Sequence, residues 1–114
     1  IAPRWDRATA LARMGGDEQL LSEVAALFLD DYPKLLRALQ EGVACGDVRV
    51  VERTAHTLKG SVSNFGAEEV CRAALYLETL GRTGDLAPAA EALGQLESAL
   101  EALNPDLVAL AGRA

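Results

Sequence analysis

An all-α fold is predicted, with four long helices in an up-down-up-down antiparallel bundle and a short N-terminal helix packed at one end. Three observations predict it. Apolar residues recur at helical spacing along most of the chain, and no segment sustains period-two alternation. Half of the 114 residues are hydrophobic while only 4% are aromatic, and the abundant alanine and leucine suit helices packed closely through small side chains. Glycine followed by aspartate punctuates the pattern at Gly16-Asp17, Gly46-Asp47 and Gly84-Asp85, each pair reading as a helix stop and then an N-cap. Such short connections imply antiparallel neighbours. The length suits one domain over residues 1–114, with the bundle core at about 17–103.

Taken in order, Pro3 suits a first helical turn, and Trp5, Ala8, Leu11 and Ala12 set a short amphipathic helix from about Pro3 to Met14. Asp17 caps a second helix, Asp17 to Ala44, in which Leu20, Leu21, Val24, Leu27 and Phe28 form the first apolar stripe and Leu35, Leu36, Leu39 and Val43 continue it. Pro33 removes a backbone donor, so a kink or brief break is expected around Asp31-Tyr32. Asp47 opens a third helix running to Asn64. Gly66 to Gly81 forms a fourth, with Val70, Ala73, Ala74, Leu77 and Leu80 inward. The last spans Asp85 to Leu103, carries Leu86, Ala89, Ala90, Leu93, Leu96, Leu100 and Leu103, and is expected to stop at Asn104-Pro105, leaving a short frayed tail from Asp106.

A net charge of -6 argues against nucleic acid and anionic membrane as partners, because both require a basic surface. Cys45 and Cys71 fit no paired motif and read as free thiols of a reducing compartment. No run reaches the ~20 apolar residues of a membrane-spanning helix, and the N-terminus lacks the features of a signal peptide. The expected setting is cytoplasmic and the expected state monomeric. A first residue of Ile1 rather than methionine suggests a piece of a longer chain, such as the cytoplasmic portion of a membrane-anchored hybrid kinase.

The one histidine, His56, lies in the third helix. Val51, Thr54, Ala55, Leu58, Val62 and Phe65 form that helix's inner stripe, and His56 falls roughly 150° from its middle, which stands the ring in water. Gly60, one turn later on the same outer face, costs the helix about 1 kcal/mol against alanine and makes no turn. Helical side chains lean toward the N-terminus, so the bare position leaves the imidazole open on its C-terminal side. Lys59 flanks the same face with a mobile cation. An exposed nucleophile, a gap and a cation together point to phosphoryl chemistry.

Other chemistries lack their parts. One histidine and two scattered thiols do not make a zinc site. There is no nucleophile elbow or oxyanion loop for a hydrolase, and no Walker-type loop or Mg²⁺-binding carboxylate cluster, so the chain should neither bind ATP nor phosphorylate itself.

The string His56-Thr57-Leu58-Lys59-Gly60, with Gly66 ten residues after the histidine, the Leu77-Glu78 pair, Phe28 in the second helix and Gly46-Asp47 before the third, resembles the histidine phosphotransfer (HPt) domain of multistep two-component phosphorelays. The resemblance covers nearly the whole chain. It implies a four-helix bundle whose exposed histidine accepts a phosphoryl group from a receiver-domain aspartyl phosphate and passes it to another receiver. His56 then matches the phosphoacceptor, Lys59 the lysine that steadies the phosphoryl group, and Gly60 the small residue that clears the approach.

The resemblance further implies a non-catalytic module without a cofactor of its own, response-regulator receivers as partners, and Mg²⁺ supplied by the receiver. Arg49, Glu52, Arg53 and Ser63 are the candidate partner contacts; Glu52, one turn before His56, is also placed to accept the ring's second N–H. Some family members carry at position 78 a glutamine that can hydrogen-bond to the histidine; Glu78 could orient only a protonated ring nitrogen and would repel a phosphate placed too near, so it is left outside the core site. The phosphotransfer domain of chemotaxis-type kinases shares the same core string, and a helical interaction domain that docks partners without phosphorylation is the competing reading.

Overall fold

The computed structural model describes residues 4–113, which are helical through most of their length with no strand among them. Five α-helices appear in this region: α1 (Arg7–Arg13), α2 (Glu18–Cys45), α3 (Val48–Val62), α4 (Glu68–Thr83) and α5 (Ala89–Leu110), with a 3₁₀ turn at Ser63–Phe65 between α3 and α4. α3 packs on α2 and α4, and α5 packs on the same two helices, so the four long helices enclose one apolar interior. A 28-residue helix is ~42 Å long, and α2 accordingly sets the molecule's 40 Å long axis.

Local capping explains the starts of α2 and α3 and the ends of α2 and α4. The carboxylates of Asp17 and Asp47 accept from the backbone N–H groups of Leu20 and Val50, satisfying donors that the first turn leaves free. Gly46 and Gly84 end α2 and α4 in the left-handed conformation. Phe65, Leu58, Leu77, Leu96 and Leu103 are fully buried at the centre. Phe28 lies over Phe65 at 5.7 Å and stacks on Tyr32 at 5.3 Å.

Several boundaries differ from expectation. α1 begins at Arg7, where Asp6 caps it by accepting from Ala8 and Thr9; Pro3 lies outside the described residues. Ala8 and Ala12 face solvent, and Ala10 is the residue that α1 buries. α2 passes through Pro33 without a break. Leu20 and Leu27 sit on its outer side, because the inner stripe runs through Leu21, Ala25 and Phe28.

α5 starts at Ala89 rather than Asp85, whose carboxylate instead accepts from Ala87 N–H in the connecting turn. The expected stop at Asn104-Pro105 is absent, and α5 continues to Leu110. The Asn104 amide donates to Tyr32 Oη at 2.6 Å, Leu107 is buried, and Arg113 pairs with Asp30 at 3.0 Å. These contacts with α2 offset the backbone hydrogen bond that Pro105 forfeits.

The fourth helix extends past Gly81 to Thr83, which makes Gly81 an interior residue. A Cβ there would stand 2.6 Å from Glu52 N and 2.9 Å from Val48 O. Only a residue without a side chain lets the backbones of α3 and α4 approach so closely.

Candidate functional site

The outer face of α3 and the adjoining flank of α4 carry the site. On α3, Val51, Thr54, Ala55, Leu58 and Val62 are buried, so packing fixes the helix's rotation and turns His56 outward with 65% of its side chain exposed. Gly60 follows on the same face, and a Cβ built on it meets nothing within 4 Å. Its missing side chain is therefore no packing requirement of the fold.

Beneath the ring lies Glu78, projecting from α4 with its side chain only 5% exposed. One carboxylate oxygen, Oε2, accepts from His56 Nδ1 at 2.9 Å and from Arg82 Nη2 at 2.8 Å, while Oε1 accepts from Lys59 Nζ at 2.7 Å. A buried carboxylate is costly unless paired and hydrogen-bonded, and this one meets three donors. The hydrogen bond from Lys59 is the main cause holding the Glu78 carboxyl below its ordinary range; burial opposes it, and the bond from His56 adds to the lowering. Ionised, Glu78 can only accept.

That constraint assigns the proton of the ring. Nδ1 must be the donor, so a neutral His56 carries its lone pair on Nε2. Nε2 has no hydrogen-bond partner among the described residues. The result is an imidazole held on its inner nitrogen and open on its outer one, beside the unfilled space over Gly60.

Glu78 is thus the functional residue that sequence reasoning left aside. The objection that it would repel a phosphate loses force here, because two cations neutralise it and it contacts the nitrogen facing away from the approach. Glu52 does not take the ring's second N–H; its carboxylate accepts from Arg82 Nε at 3.2 Å. Lys59, 29% exposed, is engaged on Glu78. Ser63 spends its hydroxyl on the Gly60 carbonyl at 2.7 Å, inside the turn that closes α3. Arg49 and Arg53 are exposed on the outer side of α3. The contacts between His56 and Glu78 span 22 positions and those between Arg82 and Glu52 span 30, beyond the reach of helical periodicity. The one signal pointing to them was the Leu77-Glu78 pair.

Among the described residues no three potential metal ligands cluster, and no helix is long and apolar enough to cross a membrane.

Comparison with known proteins converges on one family. The model of the Hpt domain matches residues 23–105. Among solved structures, the crystal structure of histidine-containing phosphotransfer protein B (HptB) from Pseudomonas aeruginosa PAO1 is similar with a TM-score of 0.89 at 25% identity, over 100% of this chain and 99% of that one. No curated protein matches the sequence.

Proposed function

The chain belongs to the Hpt domain family and has a histidine phosphotransfer role in phosphorelay, and from that premise we propose that His56 accepts a phosphoryl group from a receiver's aspartyl phosphate and passes it to a second receiver. One observation carries the assignment: the chain has a single histidine, and that histidine stands exposed with Nδ1 bonded to a buried carboxylate and Nε2 free.

The chemistry follows from the geometry. The Nε2 lone pair attacks phosphorus; the N–P bond forms as the P–O bond to the aspartyl carboxylate breaks, and the carboxylate leaves with the electron pair. No base is needed, because Nε2 carries no proton in this tautomer. The proton stays on Nδ1, and the positive charge that develops on the ring faces ionised Glu78, which stabilises it. In a loose transition state dominated by position and charge, Lys59 turns from Glu78 Oε1 to the transferring oxygens. Gly60 leaves room for the receiver's recessed aspartate to approach, and the return transfer reverses the same steps.

Receiver domains of response regulators are the partners the family implies. Mg²⁺ is read as the receiver's contribution to the chemistry, bridging and neutralising the transferring oxygens there. The module then supplies a nucleophile and a surface rather than catalysis of its own, with Arg49 and Arg53 as candidate docking cations on the rim. The chain is read as one Hpt domain, monomeric and cytoplasmic. Its long helices are read as an antiparallel up-down-up-down bundle; their ring of contacts and the two-residue link Gly46-Asp47 between α2 and α3 support that reading.

A phosphorylated receiver should label the chain at one acid-labile, alkali-stable position, and His56→Gln should abolish the label. Labelling that persists in the folded His56→Gln variant would exclude the assignment.

A further inference from the structure

Arg82 is the one residue bonded to Glu78 that the transfer chemistry leaves without a part. It lies one turn after Glu78 on α4, in the i,i+4 order with the acid first that favours pairing along a helix. It is also in the last turn, where a cation complements the helix dipole. Its guanidinium bridges two helices, with Nη2 on Glu78 Oε2 at 2.8 Å and Nε on Glu52 Oε2 at 3.2 Å. Glu52 belongs to α3, the helix that carries His56, and Gly81 beside Arg82 is what lets the two backbones come close enough for the bridge.

The oxygen that Arg82 holds is the same Oε2 that accepts from His56 Nδ1. Lys59 holds the other oxygen. The two cations are therefore not equivalent. Lys59 has to leave Glu78 if it is to reach a phosphoryl group on Nε2, and at that moment a nearly buried carboxylate would have lost its closest countercharge. Such a carboxylate tends to take up a proton or turn toward water, and either response releases the ring. Arg82 is placed so that it need not move: it holds Glu78 from the side of Glu52, one turn before His56 on α3, whereas Gly60 lies one turn after it.

We propose that Arg82 is a positioning residue for phosphotransfer, holding Glu78 ionised and aligned under His56 so that the ring keeps its proton on Nδ1 while Lys59 is released to the phosphoryl group. This deepens the reading of His56 as phosphoacceptor and rests on it for its role in transfer. It concerns orientation rather than folding. Arg82 is 56% exposed, and exposed ion pairs contribute little to stability.

The test uses the whole chain labelled with ¹⁵N. Its single histidine makes the ring nitrogens unambiguous in a long-range ¹H–¹⁵N correlation at neutral pH. In a Lys59→Ala background, where Arg82 is the remaining cation on Glu78, Arg82→Gln should shift the neutral ring from the Nδ1–H toward the Nε2–H tautomer. With Lys59 present, Arg82→Gln should slow transfer from a phosphorylated receiver by roughly fivefold, with the unfolding midpoint nearly unchanged. Arg82→Lys in the Lys59→Ala background, which keeps a cation within reach of Glu78, should move the tautomer back toward that of Lys59→Ala alone. A tautomer ratio in the Lys59→Ala, Arg82→Gln protein equal to that of Lys59→Ala alone overturns the inference, and so does an Arg82→Lys variant indistinguishable from Arg82→Gln in that background. If no receiver labels His56, the phosphotransfer reading fails, whereas the tautomer comparison still decides the positioning role.

Discussion

Replacing Gly60 separates what the position does for the fold from what it does for the partner. A Cβ at Gly60 meets nothing within 4 Å, so Gly60→Ala introduces no clash and removes the entropic cost of glycine in a helix. The position lies near the end of α3, which places the gain at about 0.5–1 kcal/mol. For a chain of this size 1 kcal/mol corresponds to ~5 °C, so the thermal midpoint should rise by ~2–5 °C. Gly60→Gln should fold as well, but its side chain leans back toward residue 56 and covers the open side of the ring. Phosphotransfer from a receiver should then fall by at least tenfold, equivalent to ~1.4 kcal/mol in the barrier, with alanine in between. Circular-dichroism melting gives the first quantity and single-turnover transfer the second. A Gly60→Gln protein that transfers at the wild-type rate would refute the claim that the gap serves the approaching receiver. A Gly60→Ala protein that melts lower would refute the claim that the space is open.

Three further outcomes follow from the same contacts. Gly81→Ala should destabilise by ~2 kcal/mol, since its Cβ would fall 2.6 Å from Glu52 N and must push α3 from α4; denaturant titration measures this, and the His56 tautomer should change with it. Lys59→Ala should slow transfer by roughly tenfold through lost charge on the transferring oxygens, leaving the helical signal intact; unchanged transfer kinetics would remove that residue from the chemistry. Glu78 has a depressed carboxyl pKa, so its ionic contribution to stability is fully present above the ordinary value of 4.5 and is lost as the pH falls through the lowered folded value. Comparing acid unfolding of wild type and Glu78→Gln should show their stability difference shrinking below that value, and a difference that grew toward acid would contradict the ionised state of Glu78.

The helices, and the starts of α2 and α3, were legible because the signals are local. The stripe Val51, Thr54, Ala55, Leu58, Val62 and Phe65 is buried as its spacing predicts, and the caps at Asp17 and Asp47 depend only on side chains reaching N–H groups three residues on. Ends were harder. Pro33 and Pro105 both read as interruptions, yet both sit within helices, because contacts such as Asn104 with Tyr32 and Arg113 with Asp30 come from distant parts of the chain. The Gly66 and Gly81 boundaries slipped for a related reason: a glycine marks a helix end by conformation in one place and a close crossing in another, and one-dimensional pattern does not separate the two.

The sequence by itself determined an outward-facing histidine on an amphipathic helix, with a lysine and a bare position beside it, since rotation about a helix axis is set by which residues must be buried. Tertiary structure alone decided what stands beneath that histidine. Glu78 reaches the ring, and Arg82 spans from Glu78 to Glu52, only because Gly81 lets α4 press against α3. A carboxylate that looked like a source of repulsion along the chain became, once buried among two cations and an imidazole N–H, the group that orients the ring, because the charge a residue presents depends on the partners folding supplies.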